Sequence, residues 1–142
     1  SEVALMKAAA HAEDAGVEDK VSWEHLDLMA GDELPGDQDL VSVHFMHPPP
    51  AVFDELHQRI GAAVRPGGHL LVVSHAAPPS WVHELPAGAP PMMPPAEELA
   101  LLALDPIAWI PRMVEQRERP TAAPGGSPGA HVDGVILLQR AE

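Results

Sequence analysis

Two short runs of this chain leave little room for alternative folds. Residues 39–45 (Asp-Leu-Val-Ser-Val-His-Phe) and 69–75 (His-Leu-Leu-Val-Val-Ser-His) are mostly apolar on both alternations of a strand. A strand apolar on both faces belongs in a parallel sheet covered by helices on each side. Between the runs, Val52, Leu56, Ile60 and Val64 recur at helical spacing, with Phe53 beside them, and mark an amphipathic helix. Pro48, Pro49 and Pro50 end the first run, and Arg65, Pro66, Gly67 and Gly68 make the turn into the second. Strand, helix, tight turn and strand in this order predict one right-handed βαβ unit.

The flanks extend this unit. Residues 1–15 predict a helix capped by Ser1, with Glu2 at the positive end of its dipole and Gly16 as its stop. Val3, Met6 and Ala10 give that helix an inward face, with Leu5 and Ala9 at its margin. Residues 21–28 alternate toward apolar side chains and predict a strand, followed by a polar stretch over 31–37. Residues 76–95, rich in Pro and Ala, read as a long loop or lid, and 96–104 as a short helix. Two closing strands are predicted over 109–119 and 131–140 around the loop 120–130, although Pro111 interrupts the first. Strands joined so closely pair antiparallel. No internal repeat and no linker divides the chain, so residues 1–142 are expected to form a single domain.

Charge and composition limit the partners. Asp and Glu number 21 against 8 Lys and Arg, a formal net charge of −13. Such a surface repels phosphate backbones and anionic membranes, so neither nucleic acid nor membrane is expected as a partner. The absence of cysteine excludes disulfides and thiolate metal sites. No apolar run approaches the ~20 residues that cross a bilayer, and the start lacks the basic and apolar regions of a signal peptide. A cytoplasmic location is the expectation.

The order and spacing of three short motifs resemble the middle of a class I, Rossmann-like S-adenosylmethionine-dependent methyltransferase. That family places an acid at the end of its third strand, matched by Asp27 in Trp23-Glu24-His25-Leu26-Asp27-Leu28. It opens its fourth strand with Asp-Leu-Val, here Asp39, Leu40 and Val41, and enters the fifth through Arg-Pro-Gly-Gly-x-Leu, here Arg65 to Leu70. Closing strands that start at a Trp, the last of them antiparallel, are similar too. The likeness covers nearly the whole chain and is greatest to the small-molecule enzymes of tellurite-resistance and thiopurine type. It implies an α/β, Rossmann-like, mostly parallel sheet with a C-terminal antiparallel strand, incomplete at its N-terminus. It also implies S-adenosyl-L-methionine as cofactor and a small-molecule methyl acceptor as partner.

The resemblance carries over few residues. Asp27 matches the acceptor for the adenine amino group, and the Leu28 amide would meet an adenine ring nitrogen; the plain alternative for Asp27 is a turn residue. Phe45 and Met46 fall where the family contacts methyl donor and acceptor; core packing is their alternative. His47 is the candidate base, because an imidazole titrates near neutral pH; a capping or core histidine is its alternative. His47-Pro48-Pro49-Pro50 only echoes the family's motif for amine or amide acceptors, Asn or Asp followed by Pro-Pro and an aromatic.

One departure is large. The family begins with a strand, a glycine-rich loop, a helix and a second strand ending in the ribose-binding acid. No Gly-x-Gly occurs before Asp27, and the sequence opens on Ser1 rather than Met. A segment of at least ~30 residues is therefore expected to be missing, leaving the activity of these 142 residues alone in doubt. Strands 21–28 and 39–45 would lose inner neighbours, which favours a homodimer. Two readings compete with methyl transfer. The sequence has nine histidines, and His44, His47 and His75 share one sheet edge, where neutral imidazoles could hold a divalent metal. A non-catalytic remnant or oligomerisation module is the other.

Overall fold

The computed structural model of the chain describes residues 1–89 and 91–142, in two compact units, Ser1–Glu33 and Leu34–Glu142.

In the first unit, helix α1 spans Glu2–Asp14. The Ser1 hydroxyl accepts from the Ala4 amide at 3.4 Å, and Gly16 ends the helix at φ +63°. There the Gly16 amide donates to the Glu13 carbonyl and the Val17 amide to the Ala12 carbonyl, both at 2.9 Å, the paired bonds of a Schellman cap. The inward stripe is not the expected one. Val3 and Met6 are 63% and 72% exposed, whereas Leu5, Ala8, Ala9 and Ala12 carry the burial. These four occupy i, i+3, i+4 and i+7, a stripe that a bias toward large side chains overlooks.

The strand expected over 21–28 does not form. After a 3-10 turn at Glu18–Lys20, residues 21–27 carry no regular structure and pair with no strand among the described residues. Alternation creates a strand only where a neighbour takes up its backbone groups. The segment closes in a turn built on Asp27. Its Oδ1 accepts from the Met29 and Ala30 amides at 3.0 and 3.1 Å, and its own amide donates to Asp32 Oδ2 at 2.7 Å.

The second unit is a four-stranded mixed sheet with helices, an α/β arrangement as expected. Its strands are β1 (Gln38–His44), β2 (Val64–Ala77), β3 (Trp109–Ala122) and β4 (Pro128–Arg140), in the order β1-β2-β4-β3. Helix α2 (Phe53–Ala63) joins β1 to β2, and α3 (Pro95–Leu101) precedes β3. β1 and β2 are parallel; β4 is antiparallel to both β2 and β3. One pairing of three is therefore parallel, because the closing hairpin β3–β4 supplies the other two.

Register brings Val41, Leu70, Leu138 and Pro111 into one cross-sheet row and Val43, Val72, Ile136 and Val114 into the next. Leu56 and Ile60 of α2 are buried, as are Leu70, Ile136 and Leu138 of the sheet and Leu102 after α3. This layer is the core. Burying one such aliphatic side chain is worth about 1.5–3 kcal/mol. Trp109 is buried as well, seated where Gly61 has no side chain; a Cβ there would lie 3.2 Å from its ring. The other face of β2, from His69 through Leu71 and Val73 to His75, is half-buried rather than sealed.

Three expectations about local structure change. Arg65 to Gly68 are not a turn between elements but lie inside β2, where Gln38 faces Val64 and Leu40 faces His69. The extra residues bulge outward, Gly67 taking φ +75°. Arg65 folds back, its Nε donating to Asp39 Oδ1 at 2.7 Å, so the two motifs at the start of the parallel pair hold each other. Both side chains are exposed, and the bond fixes register more than it stabilises. Pro111 does not break β3, because β3 is an edge strand and tolerates a missing donor. The hairpin loop is also shorter than expected: β3 runs to Ala122 and β4 starts at Pro128, with Gly125 and Gly126 turning the chain at positive φ.

Gly68 is where the bulge meets the sheet most closely. A Cβ there would lie 2.8 Å from Val64 Cγ1 and 2.9 Å from the Gln38 carbonyl oxygen, and two of its neighbours are backbone that cannot swing away. Gly68→Ala is therefore expected to destabilise the fold by about 1–3 kcal/mol. Urea unfolding checks this, and an unchanged midpoint would show that the bulge relaxes freely.

Candidate functional site

The carboxyl ends of β1 and β2 lie side by side because the two strands are parallel, and open α/β sheets bind ligands at that edge. The backbone is strained here. Phe45, the first residue beyond β1, has φ +51°, a conformation costly for a bulky side chain. Its amide still donates to the Val73 carbonyl at 2.8 Å, so the chain is held to β2 while it turns. Met46, His47 and the three prolines then carry it to a 3-10 turn at Pro50–Val52 and into α2. Prolines fix φ and offer no donors, which ends the strand sharply and leaves the edge open.

A cleft of about 370 Å³ opens at this edge. Met46, His47, Pro48, Pro50 and Phe53 form one wall, and Pro91, Met93 and Leu101 another. Asp54, Ser74 and Glu98 contribute its oxygen atoms. Two of the expected site residues, Met46 and His47, therefore line one cavity, with His47 exposed at it. The end of the Pro-rich segment forms part of the same cavity.

Ser74 and Glu98 are not evident from sequence. Ser74 lies on the buried face of β2, and its hydroxyl donates to Glu98 Oε2 across to α3. The contact needs α3 close to the sheet, and Gly134 permits it. Gly134 pairs with Ser74 on β4, and a Cβ there would meet Ser74 Oγ at 3.2 Å and Pro95 Cβ at 3.4 Å. Beneath the cleft, His57 is buried and its Nδ1 donates to the Phe53 carbonyl at 2.7 Å. Burial pushes the His57 imidazole below its ordinary value, against the opposing pull of the Phe53 carbonyl and of Glu98 and Asp54.

Alternation turns the next residue of β2, His75, toward the opposite face, although it still lines the cleft where the strand ends. The Phe45 ring stacks on it with centroids 4.5 Å apart and planes at 29°, and His131 stacks beyond at 5.6 Å. Trp81 meets His131 edge-on at 5.1 Å. Trp81 rests on backbone at Gly129, where a Cβ would lie 2.6 Å from its ring. Phe45 is thus a member of a ring ladder rather than of the core, and is 38% exposed. His75 Nδ1 donates to Asp133 Oδ1 at 3.2 Å, and Arg119 Nε donates to Asp133 Oδ2 at 2.7 Å. Burial would raise the Asp133 carboxyl, but the hydrogen bond from Arg119, then that from His75, outweighs it and holds the group below its ordinary value. Arg119 and Asp133 meet only because the hairpin pairs residue 119 with 131, a register hidden until the turn is known.

Asp27 and Leu28 belong to the first unit. The Asp27 carboxylate caps its own turn there through Oδ1. The three histidines considered as metal ligands have other occupations: His44 Nε2 bonds Ser42 Oγ at 2.7 Å, His75 holds Asp133, and His47 lines the cleft. Among the described residues, no group of three His, Asp or Glu is placed to hold a metal ion. No helix of the described residues is long and apolar enough to cross a membrane.

This mixed sheet, with one parallel crossover and a closing antiparallel hairpin, matches part of the fold of solved S-adenosylmethionine-dependent methyltransferases. TehB from Haemophilus influenzae matches with a TM-score of 0.67 at 13% identity, over 100% of this chain and 48% of its own. The S-adenosylmethionine-dependent methyltransferase SibL, in its apo form, matches with a TM-score of 0.62 at 22% identity, over 97% of this chain and 41% of its own. The mitomycin 7-O-methyltransferase MmcR matches with a TM-score of 0.59 at 15% identity, over 96% and 39%. The chain spans less than half the length of each of these three proteins. No protein-family model and no curated protein sequence matches it.

Asp133 gives the site a pH signature. A carboxyl held below its ordinary value of 3.8 contributes stability that is complete above that pH and is lost as pH falls through the folded value. Asp133→Asn is expected to cost about 1 kcal/mol at pH 7, since Arg119 is half exposed to solvent. The gap to the unsubstituted chain should begin to narrow below about pH 4 and close as pH falls through the lower folded value. A gap in urea midpoint that stays constant from pH 7 to 3 would show that the carboxylate's charge contributes nothing.

Proposed function

We propose that this chain takes part in S-adenosylmethionine-dependent methyl transfer to a small molecule, with the cleft at the β1–β2 edge as the acceptor site. The single observation that carries this reading is a cleft of about 370 Å³ at the ligand-binding edge of a methyltransferase fold. Its size falls within the ~300–1,000 Å³ of small-molecule pockets, and its apolar walls with few polar groups fit that class.

When bound, S-adenosylmethionine supplies a methyl group already activated by a sulfonium. Alignment then contributes much of the rate, and the residues have chiefly to place the partners. The Phe45 ring, exposed and held by His75, and the polarizable Met46 thioether fit an adenosyl group by their chemistry. Asp27 and Leu28, which the resemblance matches to the family's adenine contacts, lie in the first unit, where the Asp27 carboxylate caps its own turn. His47 faces the cleft and takes the acceptor's proton where the acceptor must lose one. Among the described residues β1 pairs on one side only, with Leu40 53% exposed, which supports a homodimer paired along it.

Ribose and amino-acid tail need their own contacts before a methyl can be aimed. These residues offer no Gly-x-Gly ahead of Asp27 to let backbone approach the cofactor. Two measurements on residues 1–142 test the reading. Titration with S-adenosylmethionine, followed by amide chemical shifts, is expected to move Phe45 and Met46 at millimolar concentration; shifts confined to other residues, or none, would remove the cleft edge from the cofactor site. Labelled methyl donor with a panel of small acceptors is expected to give no turnover, and turnover would show that these residues aim the sulfonium unaided.

A further inference from the structure

Resting on that reading of the cleft as an acceptor site, we infer that it selects apolar ligands bearing a protonated amine, anchored by the Glu98 carboxylate. Met46, Phe53, Met93 and Leu101 give walls that suit a flat hydrocarbon body. Against them stand two carboxylates, Asp54 at the rim and the half-buried Glu98, and among the described residues no Lys or Arg lines the cavity.

Glu98 is held and incompletely satisfied. The Ser74 hydroxyl donates to its Oε2, which fixes the carboxylate toward the cavity floor. Its Oε1 accepts no hydrogen bond from the described residues, whereas a carboxylate accepts about four. A carboxylate beside apolar walls without a counter-charge is unfavourable, and a cationic donor relieves it. The imidazoles do not serve: His57 gives its Nδ1 proton to the Phe53 carbonyl and His75 gives its own to Asp133, while His47, which lines the cavity, makes no hydrogen bond to Glu98. A metal ion does not serve either, for want of a third ligand among the described residues. The chain's formal charge of −13 draws cations toward the surface and repels anionic ligands. A nitrogen held as ammonium has no lone pair to give, so Glu98 anchors this nitrogen and the methylated atom lies elsewhere on the ligand.

The test compares tryptamine with tryptophol, which share ring and linker and differ in an ammonium against a hydroxyl. Binding to residues 1–142 is measured by amide chemical shifts at low salt, without methyl donor. Tryptamine is expected to bind about tenfold tighter, as a charge-assisted hydrogen bond allows, with shifts at Phe53, Met93 and Leu101. Glu98→Gln, which keeps an acceptor for Ser74, should erase the preference by bringing tryptamine down to the affinity of tryptophol. In the unsubstituted chain, added salt should weaken tryptamine alone. Equal affinities, no binding of either at millimolar concentration, or a preference that survives Glu98→Gln would each overturn the inference. Because no methyl donor is present, these outcomes are independent of the cofactor titration: loss of that result alone sinks methyl transfer, and loss of this one alone sinks amine selection.

Discussion

Strand β2 is bonded on both sides, by β1 in parallel and by β4 antiparallel, and the elements of residues 34–142 take their places from it. Its Leu70 and Val72 are the middle of the cross-sheet rows, and both are buried. The parallel pairing can be reached only by crossing over the sheet, which lays α2 on that layer. The antiparallel side accepts the hairpin β3–β4, whose outer strand tolerates two prolines because it is an edge strand. Burial, not local propensity, is what these elements share.

The same strand generates the site by alternation. Ser74 and His75 are adjacent in sequence and face opposite sides of the sheet. Ser74 reaches Glu98 under α3, and His75 reaches Asp133 beside the ring ladder. One residue step thus separates a carboxylate that lines a cleft from a carboxylate locked into an ion pair. The second is satisfied twice over, by Arg119 and His75; the first has one oxygen without a hydrogen bond among the described residues. That difference in partners, rather than in residue type, separates the two acids. Three glycines make the arrangement possible: Gly68, Gly129 and Gly134 each lie where a Cβ would meet a neighbour at 3.2 Å or less.

What could be read without coordinates was whatever short-range chemistry dictates. The apolar strands 39–45 and 69–75, the helix between them and the late antiparallel pair were all legible, because periodicity records which faces are buried. The Ser1 and Gly16 signals around the first helix were legible for the same reason, since caps answer to local backbone groups. Phe45, Met46 and His47 were legible as residues of the sheet edge, because a proline run after a strand fixes where that edge lies.

Everything that depended on a distant partner lay out of reach. Residues 21–28 alternate like a strand and form none, because alternation describes side chains while a strand also needs a neighbour for its backbone. Arg65 to Gly68 read as a turn and are a bulge, since only pairing with Gln38 and Leu40 reveals that the chain continues along the sheet. Glu98 and Asp133 are ordinary acids in a chain rich in them; Ser74 lies 24 residues from the one and His75 58 from the other. Sequence carries the face on which each residue will stand. Which carboxylate is neutralised and which is left open is set by contacts across the sheet, because charge and desolvation act through space and not along the chain.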